Sequence, residues 1–544
     1  MDKFFGKMRD PRQRKLFYAI LSGKLLGVGL CFLIMFVAGL YFSSTAKVRA
    51  QDATPAATAP VATEPAKAAT ADAPPVAPIA AAPAAAPAAP NPPYVNPINT
   101  MWVLVTAFLV FFMQAGFMFL EAGFSRTRES VNVMLEGVVD TCLCGVLFYI
   151  WGFAWMFGHG NGWIGHGAAD GTSWYCLQHL PDTYEGTGVA TLAIFLFQFA
   201  FADTCSTITS GAMVGRTGFW GDLFYSFGVS GFLYPIFGHW AWGPDGWLTT
   251  IGTPDVAGTA HHFFISLGVP FHDFAGSTVV HTIGGMIALA GAIALGPRLG
   301  RTFKRDGGGP MPAHNMLIAS VGTIILWFGW YGFNPGSTLS AMDTAGIARV
   351  AVNTTLAAAT GGLAALFFVY PRTWKWDCGM TMNGILAGLV AITCPCYWVS
   401  PLGAMILGAV AGVLVVLGTD LLEYLRIDDP CGAWPVHGLN GIWGTLSLGL
   451  FATGEFGAAT PTGADNSAAS VVTGVFYGGG WHQFEAQCVG NFSIGIGVFV
   501  ASLAMMYLVK ATGTLRVSKD GEQEGLDLHE HGTHAYPEHV TSLG

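Results

Sequence analysis

Hydrophobic residues lie along this chain in long runs rather than at alternating positions. Beyond residue 97 there are eleven such runs, each close to the ~20 residues that an α-helix needs to cross a bilayer. The runs are predicted near residues 99–123, 131–157, 187–213, 220–243, 274–296, 312–336, 346–370, 380–396, 400–424, 436–453 and 486–510. The pattern therefore predicts an all-α polytopic membrane protein with eleven transmembrane helices.

The composition agrees with this prediction. The 544-residue chain is 52% hydrophobic and only 10% charged, whereas about 25% of the residues in a soluble protein are charged. So few charges could not cover a soluble globule of this size, and we expect membrane lipids around the protein. In a membrane protein the net charge of −9 says little about nucleic acid, but the sequence has no basic cluster with interleaved aromatic residues, so we expect no nucleic-acid partner.

Basic residues predict how the chain is oriented in the membrane. The loops 158–186, 244–273 and 454–485 contain no Lys or Arg, whereas every basic residue beyond position 97 except Arg349 falls at the opposite helix ends. Because basic loops stay on the cytoplasmic side, we expect the first of these helices to start outside and the C-terminus to lie in the cytoplasm. The expected location is the inner (cytoplasmic) membrane.

The N-terminal region predicts export of the residues that follow it. Residues 1–50 combine a basic stretch, an apolar run and a plausible cleavage site, so they form a signal peptide or, alternatively, an uncleaved anchor. Residues 51–97 are rich in Ala and Pro and are predicted to be a disordered linker. The transmembrane domain then covers residues 98–511, and residues 512–544 form a cytoplasmic tail.

Two histidines in apolar segments form the most informative pattern. They occur as Val280-His281 and Val436-His437, and a glycine follows each histidine by four positions. Each Val-His dipeptide lies in the last of five consecutive predicted helices, which suggests two inverted five-helix repeats followed by a final helix. Many transporters build a site near the membrane midplane in this way.

The chemistry of such a pair differs from that of two unrelated core histidines, which is the alternative interpretation. Ionisable residues inside a membrane are rare and face a cavity or a partner. Two facing neutral imidazoles can hydrogen-bond each other and still offer a nitrogen to a small polar solute. No Cys or carboxylate ligand lies at matching depth, so we expect neither a metal nor a cofactor.

Asp273 stands eight residues before His281, at the predicted start of the same helix. On an α-helix this spacing places both residues on roughly one face, ~12 Å apart along the axis. The carboxylate is expected to accept backbone N–H bonds, and it could also stabilise a cation at the outer mouth. Phe197 and Phe201 share a helix face and could stack into a gate with Phe333, with simple packing as the alternative.

The cysteines leave one pairing open. Cys176 and Cys488 fall in or near outer loops, where a disulfide between them and two free thiols are the alternatives.

Five short motifs together resemble the Amt/Mep/Rh ammonium transporter family, and its Amt branch in particular, over about residues 98–537. They read Phe197-Gln198-Phe199-Ala200-Phe201-Ala202, Asp273-Phe274-Ala275-Gly276, Gly332-Phe333-Asn334-Pro335-Gly336-Ser337, Asp428-Asp429-Pro430 and Val436-His437-Gly438. The resemblance implies a transporter of ammonium or ammonia rather than an enzyme.

The resemblance also implies a role for individual residues. His281 and His437 match the twin histidines that line the pore of each subunit. Phe201 and Phe333 match the stacked phenylalanine gate, and Asp273 matches an aspartate essential near the outer recruitment site.

Three more residues match that recruitment site. Ser337 matches a hydroxyl that accepts a bond from ammonium, and Phe197 lies beside the vestibule. Trp242 matches the vestibule tryptophan, although Trp240 offers an alternative alignment.

The resemblance extends to regulation. Homotrimers are typical of the family, and a PII-type regulatory protein is a partner of many members at the cytoplasmic face. The matching residues of the regulatory tail are Gly525, Asp527, His531, Gly532 and Tyr536.

The physics of ammonium transport fits these residues. A cation inside an apolar pore costs several kcal/mol or more, whereas neutral ammonia crosses far more cheaply. A workable route therefore collects the cation with aromatic rings, a hydroxyl and a nearby carboxylate, separates a proton and lets ammonia pass. The sequence leaves open whether the imidazoles carry the proton or only hydrogen-bond ammonia.

Some positions depart from the family pattern. Asp203 lies two residues after Phe201, where a small residue is usual, and an acid by the gate is expected to bias cations. Glu136, Gly215 and Thr533 also differ, and these differences bear on regulation and rate rather than on the fold.

Two other functions compete with transport. An ammonium sensor on the same scaffold is one, although about 34 residues after the last span are too few for a signalling domain. A neutral gas channel of the Rh type is the other, and the motif set disfavours it.

Overall fold

The computed structural model describes residues 92–249, 251, 268–457 and 471–536. The predicted signal or anchor segment 1–50 and most of the predicted linker lie outside these residues, as do parts of two outer loops and the end of the tail. Residues 95–97, which were predicted to close the linker, already belong to the first helix.

Helices make up nearly all the regular structure of the described residues. The α-helices are α1 (Val95–Phe124), α2 (Ser130–Leu147), α3 (Phe153–Phe157), α4 (Thr191–Gly211), α5 (Phe219–Gly228), α6 (Tyr234–Trp242), α7 (Ile283–Leu295), α8 (Met316–Phe333), α9 (Thr344–Thr373), α10 (Cys378–Thr393), α11 (Pro401–Leu425), α12 (Asn440–Phe451), α13 (His482–Ala511), α14 (Lys519–Glu524) and α15 (Leu526–His531). Two short strands, β1 (His159–Gly160) and β2 (Gly165–Gly167), pair antiparallel in the loop after α3.

Four π-helical segments interrupt or precede these α-helices. They are Phe148–Gly152, Val229–Leu233, Ser277–Thr282 and Trp434–Leu439. A π-helix has a wider turn than an α-helix and is often found at functional sites. The last two segments each contain one of the two histidines singled out in the sequence.

Eight helical segments are long and apolar enough to cross a bilayer. They are Val95–Phe124, Thr127–Phe157, Thr191–Gly211, Ser277–Leu295, Met316–Thr338, Thr344–Thr373, Pro401–Leu425 and His482–Ala511. The three other predicted spans are helical over 219–242, 378–393 and 434–451, but they are shorter or less apolar. An all-α membrane protein is therefore confirmed, while the count of eleven spans stays a prediction.

Helices α1 and α8, the first of each predicted half, pack closely against each other through small residues. A Cβ atom added to Gly322 would lie 2.5 Å from the backbone nitrogen of Leu120. A Cβ atom on Gly123 would lie 2.6 Å from the backbone nitrogen of Ala319. Small residues at such crossings are typical of membrane helices, and this contact brings the two halves together around the interior site.

Arg349 is engaged at the helix end that the charge pattern predicts to be outside. Its guanidinium carbon lies 3.9 Å from the ring centroid of Phe456 and 4.7 Å from that of Tyr397. Its Nε atom also donates to the carbonyl of Tyr397 at 3.0 Å. Because two aromatic rings and a backbone carbonyl bind its guanidinium, Arg349 is not a freely solvated cation of an outer loop.

Cys176 and Cys488 are both free thiols. Cys176 lies in a short 3₁₀ turn after β2, whereas Cys488 lies within helix α13. The structure does not bring these two elements together in the geometry of a disulfide, so the alternative of a bond between the two cysteines is not supported.

Candidate functional site

The two histidines face each other in the interior of the protein. His281 lies in the π-helical segment Ser277–Thr282, and His437 lies in Trp434–Leu439. Their Nδ1 atoms are 3.2 Å apart, so one donates and the other accepts. The Nε2 atom of His281 is buried and has no hydrogen-bond partner among the described residues. This nitrogen can therefore offer a hydrogen bond to a small solute.

Aromatic rings form a stacked column on one side of the histidine pair. The ring centroids of Phe201 and Phe333 are 4.0 Å apart with 22° between the planes. Phe333 stacks in turn on His281 at 5.4 Å, and Trp330 lies 5.1 Å from the same imidazole. Phe197 adds a further ring 4.6 Å from Phe201. No solute fits between two rings at 4.0 Å, so Phe201 and Phe333 close this side of the histidine pair.

Trp242 lies on the Phe201 side of this column, away from the histidines. Its ring centroid is 6.1 Å from that of Phe201, and its Nε1 atom donates to the backbone carbonyl of Asp273 at 2.8 Å. Trp240 instead packs against Trp163 with 5.0 Å between ring centroids. The structure thus places Trp242, and not Trp240, beside the column.

Ser337 is buried directly after helix α8, in the turn that follows Phe333. Its hydroxyl donates to the carbonyl of Phe333 at 2.8 Å. Because the single hydroxyl proton is used in this bond, the lone pairs of the oxygen face other neighbours as acceptors. Ser337 is therefore suited to accept a bond from an N–H cation.

Asp273 caps the segment that carries His281. Its Oδ1 atom accepts from the backbone N–H of Gly276 at 3.0 Å, and Oδ2 accepts from those of Thr278 and Val279 at 2.9 Å each. Gly276 has a φ of 111°, in the left-handed region that favours glycine. The predicted capping role is present, but the helix begins at Ser277, four residues after Asp273, and its first six residues are π-helical rather than α-helical.

Asp429 does the same for His437, and our sequence analysis missed it. Its Oδ1 atom accepts from the N–H groups of Gly432 at 3.0 Å and Ala433 at 2.9 Å, and Oδ2 accepts from Trp434 at 2.9 Å. Burial raises the pKa of Asp429 to about 6, although the bonds from Trp434 and Ala433 lower it. The available signal was its spacing, since it precedes His437 by the eight positions that separate Asp273 from His281.

The glycine four positions after each histidine allows the two segments to cross. A Cβ atom on Gly285 would lie 2.1 Å from the backbone nitrogen of Gly438. On the other segment, a Cβ atom on Gly441 would lie 2.5 Å from the carbonyl oxygen of Ser277. Any larger residue would separate the segments, so these glycines set the distance at which the imidazoles meet.

A comparison with known families matches this architecture. The model of the Ammonium Transporter Family matches residues 101–536, which is most of the chain. The chain belongs to the Ammonium Transporter Family. The resemblance to this family that the short motifs indicated is thereby confirmed.

Individual members of the family are similar over most of their length. Ammonium transporter Amt2 of Archaeoglobus fulgidus is 41% identical over 446 residues, covering 82% of this chain and 89% of that protein. Ammonium transporter 1 member 3 of Solanum lycopersicum is 38% identical over 454 residues, covering 81% and 93%. These relatives are named as transporters.

Solved structures share the fold. A protein described as Sensor Amt Protein is 34% identical, with a TM-score of 0.69 over 80% of this chain and 99% of that one. Mep2 of Candida albicans is 26% identical, with a TM-score of 0.66 over 81% of this chain and 90% of that one.

The tail of this family member docks on the ends of the helix bundle. Asp527 accepts from the backbone N–H of Asn132 at 2.9 Å, and Nε2 of His531 lies 2.9 Å from the Asn132 side-chain oxygen. The hydroxyl of Tyr536 lies 3.2 Å from Nε2 of His314. Burial lowers the pKa of His531 and raises that of Asp527. The tail therefore contacts the start of helix α2 in the first predicted half and the residues just before helix α8, which opens the second.

Two glycines of the tail have left-handed or similar backbone angles. Gly525 has a φ of 109°, and a Cβ atom there would lie 2.7 Å from the Cβ of Arg128. Gly532 has a φ of 67° and ends helix α15. Arg128 also donates to the carbonyl of Gln523 at 2.6 Å, so the tail is fixed at its turn as well as by its side chains.

Asp203 does not face the gate. Two residues on an α-helix turn the side chain by ~200°, so Asp203 points away from the face that carries Phe201. Its electrostatic neighbours are Asp140 and Thr141 on helix α2. Neither of its carboxylate oxygens has a hydrogen-bond partner in the part of the chain that the structure describes. The expected position of an acid beside the gate is therefore corrected.

Proposed function

We propose that this protein carries ammonium across the membrane by conducting neutral ammonia past the histidine pair of each subunit. The observation that supports this most strongly is the buried His281–His437 contact of 3.2 Å at the end of the aromatic column. An imidazole pair in this position gives ammonia a hydrogen-bond partner inside an otherwise apolar interior. The free energy needed to remove neutral ammonia from water is much smaller than that needed to remove ammonium.

Recruitment takes place at the outer end of the column. Trp242 and Phe201 present ring faces that attract a cation, and the Ser337 oxygen accepts a hydrogen bond from it. Both oxygens of Asp273 are occupied by backbone N–H groups, so this carboxylate acts through its charge and by shaping the mouth. Phe197 supports the ring of Phe201.

The gate then separates ammonium from the histidines. Phe201 and Phe333 must part before a solute reaches the Nε2 atom of His281. A cation that gives up its proton, either to the imidazole pair or to water at the outer mouth, continues as ammonia along apolar walls. Potassium has no proton to lose, so the same route excludes it.

The wider architecture follows from the repeat. We infer eleven spans in two inverted five-helix repeats plus a final helix, with the N-terminus outside and the C-terminus in the cytoplasm. The matching Asp–His spacing in the two halves supports the repeat. We also infer a homotrimer in the inner membrane, and the docked tail offers a surface for a PII-type regulatory protein.

Growth on low ammonium tests the proposal. The wild-type gene should rescue a host that lacks its own ammonium transporters, while His281→Ala and Asp273→Ala should not, at equal membrane expression. Failure of the wild type to rescue, together with tight ammonium binding by the purified protein, would contradict transport.

That second result would instead support an ammonium sensor. The specific observation in favour of this alternative is the 34% identity to the solved Sensor Amt Protein. A sensor is expected to bind ammonium and to change the contacts of its tail without net uptake. Hydrogen exchange of the tail with and without ammonium measures this difference.

A further inference from the structure

A cavity lies on the opposite side of the histidine pair from the gate. Its volume is about 20 Å³, and its wall includes His437, Phe117, Asn383 and Cys431. Its one charged lining residue is Glu121. Nothing in the transport route proposed above uses this carboxylate, although it lies in a membrane helix where a charge is expensive.

Glu121 is held on the wall of the cavity by local contacts. It lies on α1, one turn after Phe117, whose ring centroid is 6.4 Å from that of His437. Only 4% of Glu121 is exposed, and the hydroxyl of Ser210 donates to its Oε2 atom at 3.0 Å. Within the described residues no Lys or Arg forms an ion pair with it. A buried carboxylate without a cationic partner is costly unless a cation or water reaches it.

Asn383 provides an independent observation on the same wall. Its Nδ2 atom donates to the carbonyl of Cys431 at 3.2 Å, which fixes the orientation of the amide. Its side-chain oxygen is buried and has no hydrogen-bond partner among the described residues. A buried amide oxygen without a partner costs ~1–3 kcal/mol. This acceptor and Glu121 line one space.

The combined chemistry of the wall suits a small N–H cation. Glu121 supplies a negative charge, Asn383 a free acceptor and Phe117 an aromatic ring. A water-sized solute needs a cavity of at least ~10–15 Å³, so the volume of about 20 Å³ holds one ammonium ion. The position next to His437 places such a cation directly after the histidine pair.

We propose that this cavity is a second ammonium-binding site, in which Glu121 and Asn383 hold the cation on the cytoplasmic side of His437. The proposal rests on the transport function proposed above. Ammonia that has passed His437 takes up a proton from water on the cytoplasmic side, and the site holds the resulting ammonium before release. The site therefore sets the rate of exit rather than the affinity of recruitment.

Currents evoked by ammonium pulses on solid-supported membranes test this site. Glu121→Gln should lower the maximal current roughly tenfold, because the charge that holds the cation is lost. The half-saturating ammonium concentration should stay unchanged, since recruitment occurs at the far end of the column. Glu121→Asp should retain most of the current. Asp203→Asn is the matched control, because it also removes a buried carboxylate from a membrane helix but one that does not line the cavity.

Crystals of the wild-type protein soaked in thallium(I), which resembles ammonium in size and charge, give a direct measurement. An anomalous peak in contact with the carboxylate of Glu121 supports the site. Because this measurement uses only the wild-type protein, it holds even if Glu121→Gln does not fold. The site would be overturned by absence of that peak, by wild-type currents in Glu121→Gln, or by an equal loss of current in Asp203→Asn. A wild-type protein without any ammonium current would overturn both this site and the proposed transport, whereas a conducting wild type with an unaffected Glu121→Gln removes only the inner site.

Discussion

Replacing Asp429 by asparagine should slow transport without weakening recruitment. The carboxylate accepts three backbone N–H bonds of 2.9–3.0 Å at the start of the segment that carries His437. Asparagine keeps one carbonyl oxygen, which can still accept hydrogen bonds from the backbone N–H groups of Gly432 and Ala433. Its NH₂ group, however, then faces the N–H of Trp434, and two donors cannot bond each other.

The magnitude follows from these bonds. A hydrogen bond to a charged group contributes ~1.5–3 kcal/mol, and a buried N–H without an acceptor costs ~1–3 kcal/mol. Asp429→Asn should therefore destabilise the segment by about 3 kcal/mol. Asp429→Ala removes all three bonds and should cost more. Because ~1.4 kcal/mol already changes an equilibrium tenfold, the properly placed state of His437 should become a minor one.

Two measurements separate this positioning role from a general loss of stability. The melting temperature of the purified protein should fall, and the maximal ammonium current should fall roughly tenfold or more. The half-saturating concentration should not change, because Asp429 is remote from Trp242. Asp273→Asn is the matched control at the outer end, and it should change both quantities. An Asp429→Asn protein with wild-type current, or with only its half-saturating concentration altered, would refute the reasoning.

Three other changes give distinct outcomes. Gly285→Ala should abolish uptake of methylammonium and lower the stability by ~1–3 kcal/mol, because its Cβ atom would lie 2.1 Å from the nitrogen of Gly438; wild-type uptake would contradict the crossing. Asp203→Asn should leave the selectivity for ammonium over potassium unchanged, because the side chain faces away from the gate. A changed ratio of ammonium to potassium current would contradict this orientation. Asp527→Ala should release the tail by removing its bond to Asn132, seen as faster proteolysis after helix α13, whereas unchanged cleavage would mean that other contacts suffice.

The positions of the helices could be predicted closely from the sequence. The predicted segments 187–213 and 400–424 correspond to the helices Thr191–Gly211 and Pro401–Leu425. This success has a physical cause, since the bilayer thickness fixes the length of each apolar run. The geometry within one segment could not be predicted in this way. The π-helical start at Ser277 and the cap formed by Asp273 are local hydrogen-bond arrangements, and the hydrophobic pattern carries no information about them.

Proximity in sequence was a poor guide to the surroundings of Asp203. Its position two residues after Phe201 suggested a place beside the gate. The rotation of an α-helix instead turns it toward Asp140, a second buried acid on helix α2. The same helical geometry correctly predicted that Phe197 and Phe201 share a face. A helical wheel therefore places such residues better than their distance along the chain.

The two aspartate caps change how the histidine pair should be understood. Asp273 orders the segment of His281 from one end of the pathway, and Asp429 orders that of His437 from the other. Each imidazole is thus positioned by its own carboxylate, and the two meet only through their Nδ1 contact of 3.2 Å. Because both caps act on that one contact, loss of either already breaks the pair. The double variant Asp273→Asn with Asp429→Asn should therefore conduct almost as well as the weaker single variant, since neighbouring sites that share a contact are not additive. Additive losses would instead mean that each aspartate serves a separate step of transport.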